Sequence, residues 1–264
     1  MSNLSQKVIW ITGASSGIGE ALAYELSKKN ARLILSARRK EELERVKGNC
    51  DRASQASIRI LPLDLREVST LKLCTEAAIQ IFGHVDILVN NGGISQRSLV
   101  NETPIEIDKR LMDVNYFGAI SLTKNLLPHF IAQKSGHYVT VTSLTGKFGT
   151  AYRSGYAASK HALHGFFDAV RAEHYNDNIK VTMICPGFIN TNLVAINGNG
   201  SASGRTERSQ FKGKPADWCA QKIVNAMERE KEEVYLGGKE VFGVYVKRFF
   251  PSLFSKLIRK VSVR

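Results

Sequence analysis

The 264-residue sequence has few cysteines, and no apolar run approaches the roughly 18–20 residues that cross a bilayer. Its four cysteines, Cys50, Cys74, Cys185 and Cys219, are scattered and lack the spacing of a metal motif. We therefore expect reduced thiols in a cytoplasmic protein. The N-terminal MSNLSQKVIW contains no signal-peptide hydrophobic region, so we also expect no leader and no membrane anchor there.

Acidic residues are outnumbered, with 24 Asp/Glu against 37 Lys/Arg and a net charge of +13. The excess is uneven, because residues 201–264 hold 14 Lys/Arg and 7 Asp/Glu. A basic protein can bind nucleic acid, but the sequence contains no nucleic-acid motif, and we expect no such partner. With 43% hydrophobic residues, residues 1–264 are predicted to form a single domain with a full core.

A glycine-rich turn joins the first predicted strand to the first predicted helix. The strand, KVIWIT at residues 7–12, is short, apolar and β-branched, as in a buried parallel sheet. Gly13, Gly17 and Gly19 follow, and an apolar helical pattern runs through Ile18, Ala21, Leu22 and Leu26. The backbone N–H groups of such a helix start bind pyrophosphate. We predict a dinucleotide site, with an ordinary strand-to-helix turn as the competing interpretation.

The end of the second predicted strand bears on which dinucleotide binds. An acidic residue there would bond the ribose 2′-OH of NAD(H). This sequence has Arg38 and Arg39 instead, and an arginine can bind a 2′-phosphate through paired donors. The hydroxyls of Ser15 and Ser16 can add donors. We predict NADP(H) over NAD(H), with the start of a solvated helix as the alternative role of the arginines.

Two more strand ends are expected to face the cofactor. The third predicted strand, SIRILPLDL, ends at Asp64, whose carboxylate is expected to bond the adenine amino group, with the Leu65 backbone beside it. Capping of a helix is the competing role for Asp64. The fourth predicted strand runs into NNGG, where Asn91 and Gly92 leave room for the two ribose groups.

Four polar residues predict a reaction centre. Ser143 lies at the carboxyl end of the fifth predicted strand, where open α/β sheets bind ligands. Tyr156 and Lys160 are about one helical turn apart, so they share a face. A free tyrosine titrates near pH ~10, and a nearby ammonium lowers that pKa toward the working range of an acid–base group. Asn115 is expected to hold a water next to Lys160.

Two histidines, His161 and His164, share the predicted helix of Tyr156. A third metal ligand is not evident in the sequence. We expect the pair to serve packing or a subunit interface, and we predict no metal.

These motifs, in this order, resemble the short-chain dehydrogenase/reductase family over roughly residues 5–195. The resemblance is carried by TGASSGIG, Asp64, NNGG, Asn115, Ser143, YAASK and Pro186-Gly187. The pair Gly92–Gly93 departs slightly from the usual NNAG. The stretch from Ser143 to Glu173 is similar to the membrane-associated branch with hydroxysteroid dehydrogenase-like and member 7-like proteins. The resemblance and the βαβαβ order imply a Rossmann-type α/β fold, a doubly wound parallel sheet of about seven strands with helices on both faces.

The resemblance also implies residue roles. Tyr156 would be the general acid/base, Lys160 would also bond the nicotinamide ribose, and Ser143 would polarise the substrate. Asn115 would support the proton relay. Contacts to the nicotinamide carboxamide and the phosphates would come from Pro186, Gly187, Ile189 and Thr191. Helices within residues 104–132 and 154–175 would pair with symmetry mates to give a homodimer or homotetramer.

Residues 189–214 contain NGNGSASG and are predicted to form a flexible lid over the active site, with a merely floppy insertion as the alternative. Four residues near the sheet edge are candidates for lining a substrate pocket and indicate an apolar substrate, although core packing is their alternative role. They are Phe148, Tyr152, Phe188 and Leu193.

Residues 239–264 form a basic, amphipathic tail. From Lys247 onward it has six basic residues and no acid, and Pro251 suits the first turn of a short helix. Three interpretations stay open: contact with an anionic membrane surface, packing on the protein or a neighbouring subunit, and one wall of the substrate entrance.

The predicted function is NADP(H)-dependent interconversion of a carbonyl and a secondary alcohol on an apolar small molecule. One alternative is a 3-oxoacyl thioester reductase. The other is a non-catalytic NADP(H)-binding redox sensor, which the complete set of four polar residues argues against.

Overall fold

The computed structural model describes residues 2–191, 193–201 and 213–260. The strands are β1 (Val8–Thr12), β2 (Arg32–Ser36), β3 (Ile58–Ile60), β4 (Ile87–Asn90), β5 (Ser95–Gln96), β6 (Gly136–Val141), β7 (Ile179–Pro186), β8 (Ala195–Ile196) and β9 (Glu233–Leu236). The α-helices are α1 (Gly17–Ser27), α2 (Lys40–Asn49), α3 (Leu71–Phe82), α4 (Ile105–Met112), α5 (Gly118–Ala132), α6 (Ser154–Glu173), α7 (Ala216–Glu228), α8 (Phe242–Phe249) and α9 (Pro251–Ile258).

Seven strands form one parallel sheet in the order β3-β2-β1-β4-β6-β7-β9. The chain builds outward from β1 in one direction and then from β4 in the other, so β1 and β4 flank the point where the strand order reverses. Their carboxyl ends open a crevice there. The predicted Rossmann-type sheet is confirmed.

Both faces of the sheet are covered. Along β1, Ile9 and Ile11 pack into one apolar layer with α1, α2 and α7, whereas Val8 and Trp10 pack into the other with α3 to α6. This alternation follows from the two-residue period of a strand. It explains why the strand is apolar from Val8 to Ile11, since neither face meets water.

The third strand is shorter than predicted. It ends at Ile60, and Asp64 lies beyond it. Pro62 has no backbone N–H and interrupts the regular ladder. The pairing continues irregularly, with the Leu61 N–H donating to Leu35 and the Leu63 N–H donating to Ala37, so Asp64 still reaches the edge of the sheet.

The predicted lid and tail are partly described. Asn192, residues 202–212 and residues 261–264 lie outside the described residues. Of the lid, β8 pairs with β5, and Ile189 bridges to Lys214. The predicted helix at Pro251 is confirmed as α9, and α8 precedes it. Their inner side packs on the body of the protein, where the rings of Phe254 and Phe148 lie 5.1 Å apart.

Within the described part of the chain, no helix has the length and apolar character needed to span a bilayer. The four cysteines are free, as expected. The single-domain organisation and the cytoplasmic location stay predictions.

Candidate functional site

A cleft of about 660 Å³ opens at the carboxyl ends of β1 and β4. Most of the predicted site residues line it together. They are Gly13, Ser15, Ser16, Gly17, Ile18, Arg38, Arg39, Asp64, Leu65, Asn91, Gly92, Ser143, Tyr156, Lys160, Pro186, Gly187, Ile189, Thr191 and Leu193. The sequence therefore predicted residues from seven separate segments that the fold brings to one cleft.

The glycine turn is shaped as a phosphate cradle requires. Gly13 and Gly17 have φ values of 65° and 60°, a left-handed backbone that favours glycine. A Cβ on Gly13 would lie 2.7 Å from the Gly92 Cα, and one on Gly19 would overlap the Gly13 carbonyl oxygen. Gly19 is not itself a lining residue, and it lets the start of α1 approach β1. The residues present therefore fit a dinucleotide pyrophosphate at the start of α1.

Two side chains join this turn to the end of β4. The Thr12 hydroxyl oxygen accepts hydrogen bonds from the N–H groups of Asn91 (3.0 Å) and Gly92 (3.1 Å). The Asn91 amide donates in turn to the Thr12 carbonyl at 3.0 Å. This network fixes the width of the crevice between β1 and β4 before any ligand enters.

Four arginines and three acidic residues line the far end of the cleft. Arg38 and Arg39 line it as predicted, and so do Arg45 and Arg66, which sequence reasoning missed. Arg45 donates to Glu20 at 2.7 Å and to the Ser15 carbonyl at 3.3 Å, so it holds the glycine turn. In the sequence, Arg45 is one of several charged residues on a helix, and this pattern does not predict a contact with the glycine turn.

Asp64 lines the cleft but already has a partner. It accepts from the Arg66 guanidinium at 2.9 Å and from the Arg66 backbone at 3.0 Å. Burial alone would raise the pKa of the Asp64 carboxyl, but the Arg66 hydrogen bonds outweigh it and hold that pKa below its ordinary value. Glu67 and Thr70 occupy the N-cap positions of the next two helical turns without side-chain capping bonds, so Asp64 is not the N-cap residue of either turn.

Tyr156, Lys160 and Ser143 are buried at the other end of the cleft, with 6%, 4% and 8% of their surface exposed. The Lys160 Nζ lies 5.8 Å from the Tyr156 ring centre and donates to the Val141 carbonyl at 2.9 Å. Burial lowers the pKa of Lys160 to about 8, because the ammonium loses its hydration. An ammonium held this close to a phenol can favour the phenolate.

Ser143 is oriented by its neighbours. Its Oγ accepts from the Thr145 N–H at 3.1 Å and from the Thr145 hydroxyl at 2.9 Å. It thereby caps the short turn Leu144–Gly146 that follows β6. Because Thr145 supplies the donors, the Ser143 hydroxyl proton is left to donate elsewhere, and its contact in the protein, the Pro186 carbonyl, is long at 3.4 Å.

Asn115 lies beside these residues, and its side chain is hydrogen-bonded within the protein. It falls in a π-helical turn, Asp113–Phe117, between α4 and α5. Its amide accepts from the Ile94 N–H at 2.8 Å and donates to the Ile94 carbonyl and the Ser159 hydroxyl, both at 3.0 Å. These bonds tie the segment before β5 to α6. The water-holding role therefore stays a prediction.

Gln96 is a residue that sequence reasoning missed. It is fully buried on β5, and its side-chain oxygen accepts from the N–H groups of Gly155 (2.8 Å) and Tyr156 (3.3 Å). Those N–H groups lie in the first turn of α6, where backbone N–H groups have no acceptor inside the helix. Gln96 therefore positions Tyr156. A glutamine in a short loop strand carries no motif that would have revealed it.

A second, apolar pocket of about 300 Å³ adjoins the cleft. Ser143, Arg153 and Gly187 line both cavities, so the two meet at the reaction centre. The predicted substrate residues Phe148 and Phe188 line this pocket, whereas Leu193 lines the larger cleft.

Tyr152, the remaining predicted substrate residue, lines neither cavity. It has a left-handed backbone with φ 65°, and the chain turns there to present the next residue, Arg153, to both cavities. Arg153 is a charged residue only 6% exposed, and sequence reasoning missed it.

His161 and His164 point to different partners. The His161 ring nitrogen bonds the Ala157 carbonyl of its own helix, whereas His164 lies beside Cys185, with its Nε2 3.7 Å from the Sγ. Glu233 completes this group but forms an ion pair with Lys147 at 2.7 Å. Burial raises the pKa of the Cys185 thiol to about 12 and lowers that of His164 to about 4, so both are neutral near pH 7. The three side chains are thus engaged in contacts within the protein. The absence of a metal stays a prediction.

Comparison with known proteins decides the family. A model of the short chain dehydrogenase family matches residues 7–200. The chain belongs to the short-chain dehydrogenase/reductase family. It is 43% identical to mouse dehydrogenase/reductase SDR family member 7, over 94% of this chain and 76% of that protein. This likeness confirms the member 7-like branch.

Solved structures agree with the fold. A short-chain dehydrogenase from Streptomyces avermitilis superposes with a TM-score of 0.82 at 26% identity, covering 97% of this chain and 96% of that one. An alcohol dehydrogenase from Thermococcus sibiricus, complexed with 5-hydroxy-NADP, gives a TM-score of 0.75 at 25% identity over 88% of this chain and 97% of that one. The short-chain dehydrogenase/reductase is thus an oxidoreductase that acts on CH–OH donors with a nicotinamide dinucleotide.

Proposed function

We propose that this short-chain dehydrogenase/reductase interconverts a carbonyl and a secondary alcohol on an apolar small molecule, with NADP(H) as cofactor. The observation that carries the proposal is the meeting of the two cavities. The cationic cleft fits a dinucleotide, the neighbouring pocket is lined mainly by apolar residues, and Ser143 lies where they join. A substrate in the pocket therefore reaches the end of the cleft at which Tyr156 and Lys160 are buried.

The proposed chemistry assigns one task to each side chain. When bound, the nicotinamide supplies or accepts the hydride. Tyr156 gives the proton to the substrate oxygen in reduction and takes it in oxidation. Lys160 provides the positive charge that stabilises the phenolate left behind, and Ser143 donates its hydroxyl proton to the same substrate oxygen. Asn115 and Gln96 hold α6 so that these groups keep their positions.

The preference for NADP(H) is supported by Arg38 and Arg39 at the end of the cleft. We expect Arg38→Asp to weaken NADPH binding about 10–100-fold, because a charge-assisted hydrogen bond contributes roughly 1.5–3 kcal/mol. NADH binding should improve or stay unchanged. Titration of the purified protein with each nucleotide, followed by the fluorescence of the reduced nicotinamide, measures both constants.

Lys40→Asp is the matched control for this change. Lys40 is exposed at the start of α2, two residues from Arg38, and it does not line the cleft. The same reversal of charge there should change NADPH binding less than about threefold, as expected for a screened surface charge. A wild-type protein that binds NADH more tightly than NADPH would refute the assignment of Arg38.

One activity profile distinguishes the proposed carbonyl reductase from its two alternatives, a 3-oxoacyl thioester reductase and a redox sensor. Purified protein is assayed with NADPH against ketones, aldehydes and 3-oxoacyl thioesters. Turnover of apolar ketones well above that of the thioesters supports the proposal. Preference for the thioesters would favour a 3-oxoacyl reductase, and tight NADPH binding with no turnover would favour a redox sensor.

We also propose a twofold homo-oligomer built on α4, α5 and α6. Two large apolar side chains of this surface, Phe117 and Ile131, are 45% and 37% exposed. An isologous interface would cover them in both copies at once. We expect a dimer or tetramer in light scattering at micromolar concentration and a smaller species for Phe117→Asp. Leu73→Asp, a change at a 68% exposed leucine of α3, is the control and should not alter the mass. A monomeric wild-type protein would contradict the proposal.

A further inference from the structure

Exposed apolar side chains are concentrated on the last two described helices. Six large ones, each between 47% and 68% exposed, lie between residues 242 and 257. They are Phe242, Tyr245, Phe249, Phe250, Leu253 and Leu257. Elsewhere in the described ranges, the exposed large apolar residues are spread along the chain from Val68 to Val194. A concentration of this kind marks an interaction surface.

The folding of α8 and α9 does not need these side chains. The inner side of the two helices already packs through Val244 and Phe254, which are 8% and 6% exposed. Phe254 contacts Phe148 across the apolar pocket. The outer side, with Phe249, Phe250 and Leu253, is therefore available for a partner.

The charges on this surface indicate what that partner is. Five exposed basic side chains lie among the apolar ones, namely Lys247, Arg248, Lys256, Arg259 and Lys260. Between residues 239 and 260 the one acidic residue is Glu240, whose carboxylate accepts from the Phe188 N–H at 3.3 Å. The occupant that suits this surface is apolar and carries negative charge, as an anionic lipid surface does.

A second copy of the chain suits the surface less well. A twofold interface brings the same patch from each copy together, so five cations would face five cations. Charged residues are also depleted at the centre of protein interfaces. The favoured occupant is therefore the lipid surface.

The same helices form the mouth of the apolar pocket. Phe242 and Leu257 both line the pocket and are 68% and 47% exposed, so they lie at its rim. Ser143 lies at the opposite end, beside the cofactor cleft. We propose that α8 and α9 dock on an anionic lipid surface and open the pocket toward it, so that an apolar carbonyl substrate enters from the bilayer. The entry of a substrate rests on the proposed function, whereas the docking does not.

Vesicle binding tests the docking without any turnover. Full-length protein is mixed with phosphatidylcholine vesicles, with and without phosphatidylserine, and the bound fraction is measured by co-sedimentation. We expect binding that needs phosphatidylserine and weakens with salt. Phe249→Ser/Leu253→Ser should weaken it more than about tenfold. Lys256→Gln/Arg259→Gln should weaken it roughly thirty-fold, at about fivefold per cation.

Matched controls replace residues far from this surface. Leu73→Ser removes an exposed leucine from α3, and Lys222→Gln/Lys231→Gln removes two exposed cations in and after α7. Both should bind vesicles as the wild type does. Absence of wild-type binding, or equal losses in the controls, would overturn the docking. A smaller oligomer for Phe249→Ser/Leu253→Ser, with vesicle binding unchanged, would assign the surface to a second copy instead.

The position of the pocket mouth is tested by a fluorescent label. An environment-sensitive dye is attached to Leu257→Cys in a Cys74→Ser background, since Cys74 is the native cysteine that is not fully buried. On vesicle binding we expect its emission to shift as in an apolar medium, while the same dye on Lys222→Cys stays in water. An unshifted dye at residue 257 on bound protein would overturn the opening toward the bilayer. If no carbonyl is reduced in any assay, the proposed function fails and these two results still decide the docking.

Discussion

Replacing Tyr156 by phenylalanine is expected to lower kcat by about 10²–10⁴-fold, the range typical of acid–base groups. The substitution keeps the ring, which is 6% exposed and packs in the core, so the fold should not change. It removes the one proton that the proposed chemistry transfers to the substrate oxygen. NADPH affinity should stay within about twofold, because the loss is confined to the transition state.

Tyr152→Phe is the matched control, because it also removes one phenolic hydroxyl and lines neither cavity. Its kcat should stay near the wild-type value. Steady-state rates with NADPH and a reducible ketone, together with NADPH titrations, give both quantities. Turnover of Tyr156→Phe near that of the wild type would refute the role of Tyr156 as proton donor.

Replacing Lys160 by methionine is expected to abolish most activity and yet to stabilise the folded protein. Burial lowers the pKa of Lys160 from 10.5 to about 8, so the folded state disfavours its ammonium. The ammonium cost is fully present below about pH 8 and disappears as pH rises through 8 toward 10.5. At about 1.4 kcal/mol per pKa unit, the cost outweighs the ~1 kcal/mol hydrogen bond to Val141 that methionine loses.

The net gain at pH 7 is then roughly 2–3 kcal/mol, or about 4–12 °C in melting temperature for a protein of this size. Calorimetry of the cofactor-free proteins should show Lys160→Met melting higher at pH 7 and the difference shrinking toward pH 10. Saturating NADPH should reduce or reverse that difference, because the wild type binds it more tightly. A lower melting temperature for Lys160→Met at pH 7 would contradict the claim that the buried Lys160 ammonium destabilises the folded protein.

The sequence predicted the parts of the site that depend on local rules. A strand, a glycine turn and a helix require a fixed geometry, so Gly13 and Gly17 could be located from their spacing alone. Tyr156 and Lys160 could be paired because one helical turn separates them. In each case, the residues that carry the signal are neighbours along the chain.

Residues that act across the fold could not be predicted in this way. Gln96 reaches the start of α6 across 60 residues of sequence, and nothing next to it in the chain indicates that contact. Arg153 lines both cavities because the chain turns at Tyr152. The left-handed backbone of Tyr152 could not be predicted from the sequence. The early end of β3 has a local cause, because Pro62 lacks the N–H that a regular ladder needs.

Transfer of deuterium from labelled NADPH to a product alcohol tests the central claim most directly. NADPH deuterated on both positions of nicotinamide C4 is incubated with the protein and the ketone panel, and the alcohols are analysed by mass spectrometry. The account predicts one deuterium on the carbinol carbon of an apolar ketone's product, formed far more slowly by Tyr156→Phe. NADPH bound tightly by the wild type, with no labelled alcohol from any carbonyl, would contradict it.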